Sequence, residues 1–301
     1  MQDFYLQWFT NDEQFPFFIQ YGGHDEDMYL HKHYDFSELV IVLKGNAVHV
    51  VNSHSYFVKK GDVFVINGDT LHAYKDPHQF RICNIMYRPE MLTYAGSDLK
   101  SINGYQALFI LGPHYRNIHH YESRLSLPIP NLEYVSSLID IMIREYEGKP
   151  QAYQTMLASL FTEMVVYLSR QYDSQEVGMH SHIMRLANAI SFMEDHYLEP
   201  ISLEDIARHS DISVRHLNRI FRTYYQTTPI SYLLHLRLEH ACMLLKNTHL
   251  SITEVSYKSG FNDSNYFTRL FRKAYGISPK LFRNQKIECT GSQFPLKTLF
   301  L

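Results

Sequence analysis

The chain has 301 residues, about twice the size of a common single domain, so two domains are expected. Hydrophobic residues make up 45% and charged residues 20%, with Gly 13 and Pro 11, which excludes disordered, collagen-like and low-complexity chains. The net charge of -3 is uneven: His180 to Cys289 holds 14 Lys+Arg against 10 Asp+Glu, the remainder 14 against 21, so only the C-terminal third is expected to meet a polyanion.

No apolar run is long enough for a membrane span, and Met1–Gln14 has neither a basic start nor an apolar signal core. Cys83, Cys242 and Cys289 are too scattered for a disulfide framework or a C-x-x-C zinc site. A cytoplasmic protein with no membrane partner is expected.

Up to about Pro128 the pattern is β. Leu39–Leu43 is a short apolar run ended by Gly45-Asn46, and Ala47–Val51 follows, stopped by Asn52-Ser53. Tyr56–Val58, Gly61-Asp62, Val63–Ile66 and Asn67-Gly68-Asp69 continue the alternation of strand and turn, which predicts an antiparallel sandwich or barrel. The period then changes. Leu132, Val135, Leu138, Ile139, Met142 and Ile143 recur at three- and four-residue steps, predicting a helix over Asn131–Glu147. Tyr153–Tyr172 is a second such segment, with Met156, Leu157, Leu160, Phe161, Met164 and Leu168, separated from the first by Gly148-Lys149-Pro150. The polar stretch Gln171–His182 is taken as a linker, and about Ile183 to Gln285 is helical in pattern.

That last segment contains itself twice. Arg219-Ile220-Phe221-Arg222 returns as Arg269-Leu270-Phe271-Arg272, Tyr225 as Tyr275, and Thr228-Pro229 as Ser278-Pro279. Each copy is a short helix, a tight turn and a second helix. In the first, Ser202 with Asp205 caps Leu203–His209, Ser210-Asp211-Ile212 is the turn, and Ser213 caps the next helix. In the second, Ser251 caps Ile252–Ser259, Gly260 ends it, and Asp263 or Ser264 is the next cap. This is a helix-turn-helix, whose second helix enters the major groove of duplex DNA.

Helical geometry sorts the faces. Leu217, Ile220, Phe221 and Tyr224 should pack inward, leaving Arg215, Asn218, Arg219 and Arg222 outward. In the second copy Phe267, Leu270 and Phe271 pack, leaving Ser264, Asn265, Thr268, Arg269 and Arg272. Arg forks onto guanine, Asn pairs with adenine, and Ser or Thr bonds phosphate or either base. The plainer alternative is an all-helical domain with an incidentally donor-rich surface. Between the copies, Pro229 opens a helix-forming run Ile230–Asn247. At about 1.5 Å per residue it spans roughly 27 Å, near the roughly 34 Å between successive major-groove faces.

Ile252–Phe282, with Gly260-Phe261-Asn262-Asp263-Ser264-Asn265-Tyr266-Phe267, Leu270-Phe271, Tyr275-Gly276 and Ser278-Pro279, resembles the signature of the AraC family of bacterial transcription regulators over about 100 residues. Ser256 stands where the family usually has Ala, and Asp211 where the first copy often has Gly. The resemblance implies base or phosphate contact by Arg215, Asn218, Arg219, Ser264, Asn265, Thr268 and Arg269.

His31-x-His33-x4-Glu38-x6-Gly45 has the spacing of the first cupin motif, and Gly61 with His72 keeps the frame of the second, with Asn67 and Asp69 replacing its Pro and Gly. Three readings of His31, His33, Glu38 and His72 stand: a divalent metal site, a polar pocket for a small effector, or a buried hydrogen-bonded cluster. The family resemblance favours the pocket, with no cofactor. His33, Asp35-Phe36, Glu38–Val42, Gly45-Asn46, Gly61-Asp62 and Asn84-Ile85, Tyr87, Pro89-Glu90 and Leu92 resemble the sensor of the L-rhamnose operon activators. L-rhamnose or a similar deoxy or pentose sugar is the implied effector. His119-His120 and His180-x-His182 are assigned no role.

The expected fold is α+β: a cupin-like β-barrel with two following helices, then an all-α domain of two helix-turn-helix units joined by a linker helix. The scheme is 1–130 for the effector-sensing barrel, 131–172 for a helical dimerisation segment, 173–182 for the linker, 183–288 for DNA binding (units at about 202–226 and 251–276) and 289–301 for a tail. Expected partners are double-stranded DNA, a small sugar, RNA polymerase and a second copy of the chain. The expected function is a non-enzymatic regulator, more an activator than a repressor. The rival is a cupin metalloenzyme fused to a DNA-binding module; a nucleoid-type DNA binder would need a stronger positive balance.

Overall fold

Alternating apolar side chains build the first half of the chain into a sheet, and three- and four-residue apolar spacing builds the second into helices. A computed structural model describes residues 2–10, 12, 14–52, 54–68, 70–92, 98–112, 124–174 and 181–284. Asp69, His119, His120, His180, Cys289, much of the expected linker and the tail Phe294–Leu301 therefore lie outside the described residues. The chain divides into two compact units, residues 1–187 and 188–301.

In the first unit, β1 (Gln2–Phe4), β2 (Phe17–His24), β3 (His31–His33), β4 (Ser37–Val51), β5 (His54–Lys59), β6 (Asp62–Ile66), β7 (His72–Tyr87) and β8 (Leu125–Ser126) form one mixed sheet. The pairing path is β1-β3-β7-β4-β6-β8, with β2 also on β7 and β5 also on β4. Among the described residues this path does not return on itself, so the expected barrel is a curled, open, cupin-like sheet. Its end strands are too short to close it: β1 has 3 residues and β8 has 2.

The long strands depart from the sequence expectation. Gly45-Asn46 does not end a strand; β4 runs 15 residues through it, with register shifts against β7 between Val42 and Val48. Gly45 sits at φ +72, and a Cβ there would lie 2.2 Å from the His78 carbonyl oxygen, so glycine serves a bulge that bends the strand. One face of the sheet encloses Val40, Val42, Val58, Phe64, Phe80 and Ile82. On the other, Phe161 packs its ring against Phe17 and Tyr87, with centroids 5.4 and 4.9 Å apart. Phe161 belongs to α2 (Tyr153–Ser174), which follows α1 (Ile129–Gly148). Of the two expected stripes, Leu132, Val135, Leu138, Ile139, Met142, Leu157, Phe161, Met164 and Leu168 are buried. Met156 is 51% exposed.

Among its described residues the second unit is all-α. Helix α3 (Ser181–His196) leads to α4 (Leu203–His209) and α5 (Val214–Tyr225), and α6 (Pro229–Asn247) connects them to α7 (Ile252–Lys258), α8 (Ser264–Tyr275) and α9 (Pro279–Asn284). The starts are set by local chemistry. Ser202 with Asp205, and Ser251 with Glu254, form reciprocal capping boxes at α4 and α7; Ser213, Thr228 and Asp263 cap α5, α6 and α8. The turn of the first helix-turn-helix places Asp211 at φ 52, where a short polar side chain is tolerated. Leu238, Cys242, Phe261, Phe267, Phe271 and Phe282 form a core around the second unit of the repeat.

Candidate functional sites

In the first unit, β3 projects His31 and His33 to the same side because strand side chains alternate. Register places His31 opposite His72 at the start of β7. Glu38 enters from β4, and His49, eleven positions nearer β4's other end, completes the group. All five are 3% exposed or less. His33 Nε2 lies 3.3 Å from His72 Nε2 and 3.7 Å from a Glu38 carboxyl oxygen, and His72 Nδ1 lies 3.3 Å from His49 Nε2. The Nδ1–H of His31 donates to the Tyr29 carbonyl at 3.1 Å, which leaves its Nε2 as a lone pair.

The structure thus brings together all four sequence-proposed effector residues and adds His49, a polar side chain alternating with Val48 and Val50. Burial pushes the Glu38 carboxyl up to about 8. Burial, then the neighbouring His31, holds His33 down to about 3, and His31 is lowered mainly by burial. At neutral pH these shifts favour the uncharged forms of His31, His33 and Glu38, which together offer both donors and acceptors. A separate cavity of about 90 Å³ is lined by Ser37, Asn67, Tyr87, Leu92 and Tyr105. It is well below the roughly 300–1,000 Å³ of common ligand pockets.

In the second unit, α5 buries Leu217, Ile220 and Phe221, and α8 buries Phe267, Leu270 and Phe271. The Tyr224 side chain lies outside the described residues. On the opposite faces Arg215, Arg219, Arg222, Asn265, Arg269 and Arg272 are exposed, while Asn218, Ser264 and Thr268 are half-buried. Two of these polar groups are already engaged: Asn218 donates to the Val214 carbonyl at 3.0 Å, and Thr268 to the Ser264 carbonyl at 2.8 Å. Arg269 lies over the Tyr266 ring, 5.7 Å from its centroid, which orients the guanidinium along the helix face. The two faces carry five arginines and no carboxylate.

A duplicated helix-turn-helix following a cupin-like sheet defines a class of DNA-binding regulators. Residues 206–285 match the family described as a helix-turn-helix domain, and residues 15–163 match the AraC-like ligand binding domain. The chain belongs to the AraC-type family of DNA-binding transcription regulators and carries a ligand-binding domain of that type. Similar proteins include the HTH-type transcriptional activator RhaS of Enterobacter sp. (strain 638), 30% identical over 252 residues, covering 83% of this chain and 86% of that protein. The HTH-type transcriptional activator RhaR of Mannheimia succiniciproducens is 28% identical over 278 residues, 92% of this chain and 94% of that protein. Among solved structures, a transcriptional regulator with an AraC-type DNA-binding domain from Chromobacterium violaceum is 36% identical over 35% of this chain and 95% of that one, with a TM-score of 0.33. The two named relatives are transcriptional activators, and the chain, as a member of this family, is a transcription regulator rather than an enzyme. No helix among the described residues is long and apolar enough to cross a membrane.

Proposed function

We propose that this chain activates transcription of a sugar-utilisation operon in the cytoplasm, as a homodimer whose first unit binds a small sugar. α5 and α8 are the reading helices: Arg215, Asn218, Arg219 and Arg222 on the first, and Ser264, Asn265, Thr268, Arg269 and Arg272 on the second, contact bases and phosphates. The observation that carries this is the pair of arginine-bearing, carboxylate-free faces opposite buried aromatic and aliphatic ones. Similarity to the transcriptional activators RhaS and RhaR supports activation, which would involve RNA polymerase. The resemblance of the sensor residues to L-rhamnose operon activators supports L-rhamnose or a related deoxy or pentose sugar as the effector. Residues 1–130 would sense, 131–172 dimerise, 173–182 link and 183–288 bind DNA.

His31, His33, Glu38 and His72 are the proposed effector contacts. An uncharged polyol is matched by uncharged imidazoles and a protonated carboxyl, because each hydroxyl both donates and accepts. Binding would shift the population of arrangements in which the dimer engages its DNA sites. The test is selection of bound fragments from random duplex DNA with and without sugars, joined to calorimetric titration of the full chain with the same panel. Enrichment of one sequence and heat from one sugar are expected; no enriched sequence would overturn the reading of the helices, and silence across the panel that of the sensor.

A second reading of the same cluster has its own observation. One nitrogen from each of His31, His33 and His72 lies within 4.8 Å of the other two. Two imidazole nitrogens at 3.3 Å match the separation in a tetrahedral site with metal–nitrogen bonds of about 2.0–2.1 Å. His31, with its other ring nitrogen tied to Tyr29, and His72, with its own facing His49, have the supporting contacts a metal ligand needs. Such an ion would supply a Lewis-acidic point in the pocket. Elemental analysis of purified protein decides it: near-stoichiometric zinc, manganese or iron favours this reading, and trace amounts overturn it.

A further inference from the structure

The two helix-turn-helix units are not held together by the connecting helix alone. Arg237, midway along α6, sends its guanidinium across to the turn that follows α3. Its Nε donates to the Tyr197 carbonyl and a terminal nitrogen to the Glu199 carbonyl, both at 2.6 Å. That turn delivers the chain to the Ser202 cap of α4. The same guanidinium also meets the turn inside the second unit. A Cβ on Gly260 would stand 2.9 Å from Arg237 Nε, 2.9 Å from the Tyr197 carbonyl oxygen and 3.1 Å from that of Leu198. Gly260, at φ +80, is therefore required twice, by its backbone conformation and by the close approach.

Arg283 provides a comparison within the molecule. From α9 it donates to the carbonyls of Leu245 (3.3 Å), in the last turn of α6, and Leu250 (2.6 Å), in the turn leading into α7. Each helix-turn-helix is thus followed by a helix whose arginine reaches back to the turn preceding that unit. Arg237, unlike Arg283 among the described contacts, abuts the other helix-turn-helix as well, at Gly260. Two donors of one planar, rigid group on two carbonyls fix orientation in a way a single ammonium does not.

We propose that Arg237 is a positioning residue for DNA recognition, joining the turn that enters the first unit to the turn within the second and so setting the separation and twist between α5 and α8. This rests on both helices reading DNA. Two modules held at the spacing of their sites gain avidity that is lost when the geometry no longer allows both to engage. Arg237 is bonded into the protein's own backbone, so it need not touch DNA to matter.

The experiment uses the full chain and a duplex selected by the wild type from random DNA. Versions of it carry both recognised segments, one segment with the other scrambled, or both with one base pair inserted between them. Arg237→Ala is expected to bind single segments within about twofold of wild type, lose about tenfold or more on the intact duplex, and tolerate the insertion better than wild type does. Its dependence on salt should match wild type, because no phosphate contact is removed. Wild-type affinity and spacing preference, or equal weakening on single and intact sites, would overturn the proposal. If Arg237→Ala has lost helical circular dichroism, Arg237→Lys, which keeps the charge without the fork, carries the same comparison. Gly260→Ala, which pushes the guanidinium aside, should flatten the spacing preference as Arg237→Ala does. Failure of the wild type to select any sequence would instead sink the assignment of α5 and α8.

Discussion

At the scale of single residues, chemistry separates the side chains proposed to read DNA from those that hold the helices together. Arg219 and Arg269 project from faces whose opposite sides are buried, so truncating either to Ala is expected to cost about 1–3 kcal/mol on the specific duplex and to relax base preference there. Titrations against specific and scrambled DNA measure both; equal weakening on all sequences would mean contact with phosphate alone. Asn218 and Thr268, already bonded to carbonyls of their own helices, should contribute less until they rotate away. In the sensor, Glu38 provides a pH test. Its folded-state carboxyl titrates at about 8 against an ordinary 4.5, so stability present below pH 4.5 is lost as pH rises through 8. His33 slopes the other way, losing stability as pH falls from 6.5 toward 3. The two oppose each other between 4.5 and 6.5, leaving Glu38 dominant from 6.5 to 8. Glu38→Gln should flatten the fall in unfolding midpoint across that last window; an unchanged fall would show that another group titrates. His31, His33, Glu38 and His72 were visible in the sequence through motif spacing. His49 was not, because a lone histidine in an apolar strand carries no spacing signal and only register brings it to His72.

Secondary-structure elements were legible where their determinants are local. The caps of α4, α5 and α7 depend on side chains within three residues of the backbone they satisfy, so Ser202, Ser213 and Ser251 marked helix starts directly. Ser202→Ala removes one half of a reciprocal pair and is expected to lower stability by about 0.5–2 kcal/mol, read as a fall in the thermal midpoint of the second unit. The sheet was less legible. Gly45-Asn46 has the composition of a turn, yet its partner strand β7 continues past it, and a distant ladder overrode the local signal. Gly45→Ala forces a Cβ toward the His78 carbonyl at positive φ and should cost about 1–3 kcal/mol through overpacking, measured by denaturant unfolding. A neutral result would mean that β4 straightens without loss. The 16-residue β7 is illegible for a related reason: its middle, Lys75–Gln79, is polar and exposed apart from a half-buried Pro77, so no continuous apolar pattern spans it.

For the whole molecule, the α+β architecture followed from the change of apolar period near Pro128 and from the repeat in the last third. Closure of the sheet did not, since it depends on the lengths of end strands that composition does not encode. Association is testable at this scale. Tyr134, Ile141 and Met156 on α1 and α2 are exposed, and a dimer through 131–172 would cover them. Sedimentation at micromolar concentration should give twice the chain mass, and Met156→Glu should shift it toward one; a wild-type monomer would contradict the proposal.

The duplicated reader also has unlike halves. α5 offers three arginines and an asparagine, whereas α8 offers two arginines with serine, threonine and asparagine, so if both helices read DNA the two halves would select unlike base segments. A protomer engaged through both helices therefore has a head and a tail along the duplex. Inverting its recognition segment beside a promoter would turn the sensor, and whatever surface meets polymerase, to face the other way. On that proposal promoter direction would be encoded within a single subunit, before any pairing of subunits is considered.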